Sequence, residues 1–348
     1  MGKVLDNKCP SCGAPIAFNP SIGKFKCDYC ESEFTASELK DMDKINSEEV
    51  TDYDNYVTYN CPDCGASIVT DENTAATFCV YCGNYSIIKN RLSGEFAPSK
   101  IIPFKMDKDK AISAFKMLKK GRPLVPRDFV SPKNIEKITG VYIPFWLYNI
   151  SVDGTIDAKG TRVKSWSSGS TRYTKTDFYK MTRTGGMKYH RVPVDGSTRF
   201  SNDIMNSIEP FDYNELIPYN HAYLSGFLAE RYDVNSDDAF DDAKKRAINS
   251  TKEEMLGSMV NYSTKSVTSC DLSSSIDGTE YVLLPVWMVN VKYKDKYYLF
   301  AMNGESGEFI GDIPLDKGRA IIIGIITFII SFICIVIASY VLFKIGGN

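Results

Sequence analysis

Hydrophobic residues follow three spacings along the chain. Up to about residue 92 they come in short runs broken by Cys-x-x-Cys pairs. From about residue 100 to 316 helical and alternating patterns succeed one another, and from Ala320 to Phe343 the chain is apolar without a charge. In the middle region two stretches share an order of parts. In the first, Ile101-Ile-Pro-Phe104 precedes a helical pattern from Asp107 to Gly121 that would bury Ala111, Phe115 and Leu118, with Gly121 as its stop. Tyr142-Ile-Pro-Phe-Trp-Leu147 then opens a strand through Val152 with a turn expected at Asp153-Gly154. In the second, Leu216-Ile-Pro-Tyr219 precedes a helix near Asp237 to Met255. There Leu283-Leu-Pro-Val-Trp-Met288 opens a strand that returns as Tyr297 to Met302. Residues 151–200 read as β-hairpins turning at Gly169 and Gly185-Gly186. The pattern predicts an α+β body with antiparallel sheets, built of two diverged units (about 100–200 and 211–314). Trp146 and Trp287 would be its core anchors, given the area a tryptophan buries.

The last regime is a membrane signature. A helix of 24 residues spans about 36 Å, against about 30 Å of hydrocarbon. Lys317 and Arg319 precede the run and Lys344 follows it. No signal peptide is read at the start, so a single pass (320–343) with the N-terminal domains in the cytoplasm is expected. Gly324, Thr327, Ser331, Cys334 and Ala338 follow a 3-4-3-4 spacing on one face. Small residues allow close approach of membrane helices, so this face is expected to pack on a partner helix or a second copy.

The cysteines change the picture at the other end. Cys9-x-x-Cys12 and Cys27-x-x-Cys30 recur, offset by 52 residues and with the same interval, as Cys61-x-x-Cys64 and Cys79-x-x-Cys82. Pro10, Gly13, Ala14, Ile16 and Tyr29 recur with them as Pro62, Gly65, Ala66, Ile68 and Tyr81. The spacing predicts two small β zinc ribbons (1–35 and 57–92), separated by an acidic linker (36–56) and followed by a linker at 93–99. Each would hold one structural Zn2+ in a closed shell of four thiolates. Gly13 follows its knuckle where a left-handed turn is needed; Glu31 stands where the second repeat has Gly83.

Charge narrows the partners. Residues 1–95 carry eight Lys/Arg against fifteen Asp/Glu. Phosphate binding depends on cationic contacts, so the ribbons are expected to meet protein rather than nucleic acid. Residues 151–200 carry ten Lys/Arg against four Asp/Glu, a solvated strand face or a contact for anionic lipid or for the acidic ribbons. The two histidines, His190 and His221, and the single Cys270 and Cys334 form no catalytic constellation, and no nucleotide-binding or hydrolase motif is present, so an enzyme is not expected.

Taken together, Cys9-Pro-Ser-Cys-Gly-Ala, Cys61-Pro-Asp-Cys-Gly-Ala, Tyr142-Ile-Pro-Phe-Trp-Leu, Leu284-Pro-Val-Trp and Pro218-Tyr-Asn-His-Ala-Tyr-Leu-Ser-Gly-Phe-Leu-Ala-Glu230 resemble the YdjG-like bacterial membrane proteins with TFIIB-type double zinc ribbons. The resemblance implies a non-enzymatic role at the bacterial cytoplasmic membrane, with cytosolic partners of the SPFH-domain and phage-shock protein A type in an envelope-stress response. The expected function is therefore a membrane-anchored zinc-ribbon adaptor. The alternatives are a membrane-tethered nucleic-acid binder and a thiol or zinc redox sensor.

Overall fold

The computed structural model describes residues 4–5, 8–39, 51–53, 56–61, 67–71, 73–78, 85–88, 92, 96–126, 129, 131, 138–293 and 296–346. The architecture is α+β. Two three-stranded sheets are formed by β2 (Ala17–Asn19), β3 (Lys24–Lys26) and β4 (Glu33–Phe34), and by β5 (Thr51–Tyr53), β6 (Tyr56–Asn60) and β7 (Ser67–Asp71). An 11-stranded mixed sheet collects the rest: β1 (Val4–Leu5), β8 (Thr74–Phe78), β9 (Tyr85–Ile88), β10 (Lys100–Ile101), β11 (Thr139–Ser168), β12 (Thr171–Asp195), β13 (Ile217–Pro218), β14 (Leu228–Glu230), β15 (Thr264–Tyr293), β16 (Lys296–Asn303) and β17 (Phe309–Gly311). The helices are α1 (Ala36–Leu39), α2 (Lys108–Met117), α3 (Asn202–Ser207), α4 (Ser236–Gly257) and α5 (Lys317–Gly346).

The two similar stretches sit back to back. Ile143 and Leu284 hold the same place in their Pro-x-Trp strands and are each other's cross-strand partners, so a local two-fold axis passes between β11 and β15. Around it the units exchange parts. Lys100-Ile101 of the first runs parallel to Val282-Leu283 of the second, and Leu228-Ala229 of the second runs parallel to Val141-Tyr142 of the first. The Trp287 indole donates to the Met106 carbonyl (2.9 Å) and the Trp146 indole to the Val234 carbonyl (2.9 Å), carbonyls 128 residues apart. The next residues, Asp107 and Asn235, cap α2 and α4. Beside each indole a ring from the other unit packs, Phe104 on Trp287 at 5.1 Å and Tyr232 on Trp146 at 4.9 Å.

The pairing groups the parts of the two stretches differently from their order in the sequence. The counterpart of Lys100-Ile101 is Leu228-Ala229, not the Ile-Pro pair near residue 217. Ile217-Pro218 instead pairs antiparallel with Ile101-Lys100 at the sheet's edge. The strands around the second set of cysteines divide between two sheets. β5 pairs with β6, so the second cysteine unit's small sheet starts at Thr51, inside the expected linker. β8 and β9 leave that unit to join the main sheet through β14, and β1 pairs with β9.

Near the two-fold axis the sheet is covered on both faces, which is why the sequence there is continuously apolar. Ile143, Phe145 and Leu147 pack with Met205, Ile208 and Phe211, while Tyr142 and Trp287 pack on the opposite side with Phe104 and Phe227. Further out, α4 covers one face only. Its buried stripe of Ala239, Ala243, Ala247, Thr251 and Met255 is mostly small, which brings the helix close to Ile150, Val152 and Ile156. The exposed face there is lined by Ser, Thr, Asp and Lys, an ordinary one-sided sheet.

No turn forms at Asp153-Gly154 or at Gly185-Gly186; β11 and β12 run through both and turn once, at Gly169. A Cβ on Gly154 would lie 2.0 Å from the Asp271 carbonyl, and one on Gly186 1.8 Å from the Asp153 carboxylate. These glycines permit close strand approach inside the sheet, the other reading of glycine in a strand pattern. α5 contains an 18-residue stretch of mean hydropathy 3.2, none of it buried, and is long and apolar enough to cross a membrane.

Candidate metal centre and its mount

Cys9, Cys12, Cys27 and Cys30 are brought together, with all four sulfurs within 4.8 Å of one another. Cys9 and Cys30 stand 3.5 Å apart and Cys12 and Cys27 3.6 Å apart. A tetrahedral ion with Zn–S bonds of about 2.3 Å requires sulfurs about 3.8 Å apart, so the residues fit a metal ion. Both knuckles make the same turn: the Gly13 amide donates to the Cys9 carbonyl (2.8 Å) and the Glu31 amide to the Cys27 carbonyl (2.9 Å). Gly13 has φ of 75° and Glu31 of 60°, so Glu31 takes the left-handed conformation despite its side chain.

The thiols share their protons unevenly. Hydrogen bonds from Ser32, through its hydroxyl and its backbone, hold Cys30 down at about 6. Cys12 is pushed up to about 12; the Ala14 backbone opposes this, but burial and the neighbouring thiols of Cys30, Cys27 and Cys9 outweigh it. A divalent ion would hold all four as thiolates, which couples metal binding to proton release and to folding.

Of the second expected set, Cys61 is buried; Cys64, Cys79 and Cys82 lie outside the described residues. Gly324, Thr327, Ser331, Cys334 and Ala338 all lie on α5 and are exposed or half-exposed. The Thr327 hydroxyl donates to the Ile323 carbonyl of its own helix at 2.7 Å. Trp287 is 4% exposed and Trp146 partly buried.

The stretch Tyr223-Leu-Ser-Gly-Phe-Leu-Ala-Glu230 mounts the metal unit on the body. Tyr223 closes an aromatic triad with Phe18 (5.1 Å) and Phe25 (5.6 Å) of β2 and β3. The Ser225 carbonyl accepts from the Phe18 amide (3.0 Å). Gly226, with φ of 98°, lets the ribbon come so near that a Cβ would lie 3.2 Å from Ala17. Phe227 stacks on Phe104 at 4.1 Å, and Glu230 ends β14 beneath Arg199, which donates to it at 2.6 Å. Arg199 also pairs with Asp71 of the second cysteine unit. Burial would raise the Asp71 carboxyl, but Arg199, Thr74 and Asn73 hold it below its usual range. Beside the mount lies a cleft of about 580 Å³ lined by Phe18, Lys26, Asp107, Phe227 and Trp287. Cysteine spacing made the first cluster visible in the sequence; the mount gave no local signal, because its partners lie some 200 residues away.

Fold and site define an α+β protein with an N-terminal four-cysteine cluster that could hold a metal ion and an apolar C-terminal helix. The chain is 33% identical over 316 residues, 91% of its length, to the uncharacterized protein YdjG of Bacillus subtilis (strain 168), and covers 92% of that protein. It belongs to the YdjG family. No family model matches the chain, and no solved structure does.

Proposed function

We propose that the chain is a membrane-anchored zinc adaptor that recruits cytosolic protein partners to the inner face of the bacterial cytoplasmic membrane. Its ribbons hold two structural Zn2+ ions, the second by Cys61, Cys64, Cys79 and Cys82. The observation that carries this reading is the mount. The metal unit is fastened to the body through Tyr223, Ser225 and Gly226 and so presents one fixed surface. A tether raises the local concentration of whatever binds that surface. The acidic cysteine units favour a partner with a basic face. The resemblance to YdjG-like proteins points to SPFH-domain and phage-shock protein A type partners in an envelope-stress response. Exposure of Cys12 and Cys30 favours a second reading, a sensor whose shell opens on oxidation.

The test is a mild-detergent pull-down of the full chain against a Cys27→Ser/Cys30→Ser variant. Removing residues 1–95 would strip β8 and β9 from the main sheet, so substitution is the cleaner perturbation. Loss of an SPFH-domain or phage-shock protein A type partner in the variant supports the adaptor. Nuclease-sensitive nucleic acid lost with the cysteines would replace it with the nucleic-acid reading. A partner released from the wild-type chain by mild peroxide, together with zinc, would favour the sensor.

A further inference from the structure

β15 begins at Thr264, opposite Thr161, so beyond that level β11 and β12 continue alone. Seven residue pairs, from Arg162↔Asp177 to Ser168↔Thr171, form a two-stranded ribbon that projects roughly 23 Å past the third strand. One face of this tip carries Trp166 and Tyr173, stacked at 5.7 Å and 51% and 46% exposed. Beside them Lys164 stands directly opposite Lys175. The other face carries Arg172 and the exposed Val163, and just below the tip Phe178, which is 82% exposed. A second like-charge pair, Lys159↔Lys180, lies at the base.

Like charges directly opposite on neighbouring strands destabilise a sheet. Asp177 neutralises Lys175 (3.0 Å) and Asp157 approaches Lys180 (3.5 Å), but Lys164 and Lys159 have no acidic partner among the described residues. The tip therefore joins unneutralised cations to large exposed aromatics. Tryptophan and tyrosine with basic residues make up the composition of a membrane interface, apolar at one end and wet at the other.

We propose that residues 162–178 dock into the anionic leaflet in which the chain's own helix is anchored. In this contact lipid phosphates lie between the lysines, and Trp166 and Tyr173 sit at headgroup depth. Both faces of the ribbon carry a basic and an apolar component. That suits insertion into a headgroup layer, which is alike on all sides, whereas a nucleic-acid strand or acidic peptide would lie along one face. The inference does not depend on the adaptor reading.

The test uses the full chain reconstituted into dilute vesicles whose lipids carry brominated acyl chains, an anionic set and a zwitterionic set. The chain has three tryptophans, so Trp166→Phe isolates the signal of Trp166. Docking predicts quenching of Trp166 in anionic vesicles only, reversed at about 1 M salt, where screening acts within about 3 Å. Lys164→Gln should lower the docked population about fivefold, and Lys175→Gln, whose charge Asp177 offsets, by less. Trp166 emission that is the same in both lipid sets would overturn the proposal. So would quenching indifferent to salt and to both lysines, or a Trp166 that a single-stranded oligonucleotide shields from an aqueous quencher while anionic lipid leaves it unquenched.

Discussion

Asp195, at the end of β12, shows how a single buried carboxylate sets a pH window. It is 5% exposed, and its Oδ1 has no hydrogen-bond partner among the described residues. Burial pushes its pKa up to about 6; its own backbone amide opposes this, and Asp242, Glu209 and Asp233 add to it. In the unfolded chain an aspartate titrates near 3.9. Between about pH 4 and 6 the folded protein therefore holds a proton that the unfolded chain has lost, and stability falls as pH rises through that window. Above it the group stays charged and buried at its full cost. Asp195→Asn should stabilise the protein at pH 7.5 by on the order of 2 kcal/mol and leave it little changed at pH 4. Urea midpoints at the two pH values measure this; an equal shift at both would mean that packing, not charge, is responsible. Nothing in the sequence marks Asp195, because the groups that face it, Asp242, Glu209 and Asp233, are close only in the fold. The cysteine ligands were legible for the opposite reason, since each knuckle is a local turn written within four residues.

At the scale of elements, the sequence showed the duplicated Pro-x-Trp strands and the helix ahead of each, but not the exchange between units. Pairing partners are a property of the sheet, and Leu216-Ile-Pro-Tyr219 resembles Ile101-Ile-Pro-Phe104 more closely than its true counterpart, Leu228-Ala-Glu230, does. The exchange rests on two glycines that close over the indole loops. The Gly304 carbonyl accepts from Lys105 and Met106 at 3.1 and 3.0 Å, and the Gly196 carbonyl from Asp233 and Val234 at 2.9 and 3.1 Å. A Cβ on Gly304 would lie 2.7 Å from the Pro285 carbonyl and 2.8 Å from the Phe104 ring, whereas one on Gly196 would lie 3.1 Å from Tyr232 and 3.3 Å from Trp146. Backbone cannot yield as a side chain can. Gly304→Ala should cost about 2–3 kcal/mol and Gly196→Ala about 1 kcal/mol, within the range for overpacked sites. Denaturant unfolding of the two variants decides it, and the reverse order would mean that the Trp146 side of the exchange is the more tightly packed.

For the whole molecule, two metal-dependent domains strung ahead of a separate body would let a chelator unfold residues 1–90 as a block. The sheet divides that block differently. Cys9 to Phe34 fold around the cysteine cluster and touch the body through Tyr223 to Phe227, whereas β8 is held by backbone pairing to β14, as Ala76↔Ala229 and Thr74↔Glu230. Metal binding contributes about 10–16 kcal/mol in small zinc units, far more than a three-stranded sheet of two to three residues per strand supplies by packing. Chelation should therefore release β2, β3 and β4 to rapid hydrogen exchange. Exchange should also quicken at 222–227, where the Ser225 carbonyl and the Tyr223 ring lose their partners. Protection at Thr74–Phe78 and along β11 and β15 should persist, because those strands are paired on the body and not on the metal. Peptide-resolved exchange with and without chelator measures all three. Loss of protection at Thr74–Phe78 together with β2 and β3 would show that the metal holds the edge of the main sheet as well, and that the cysteine units and the body fold as one.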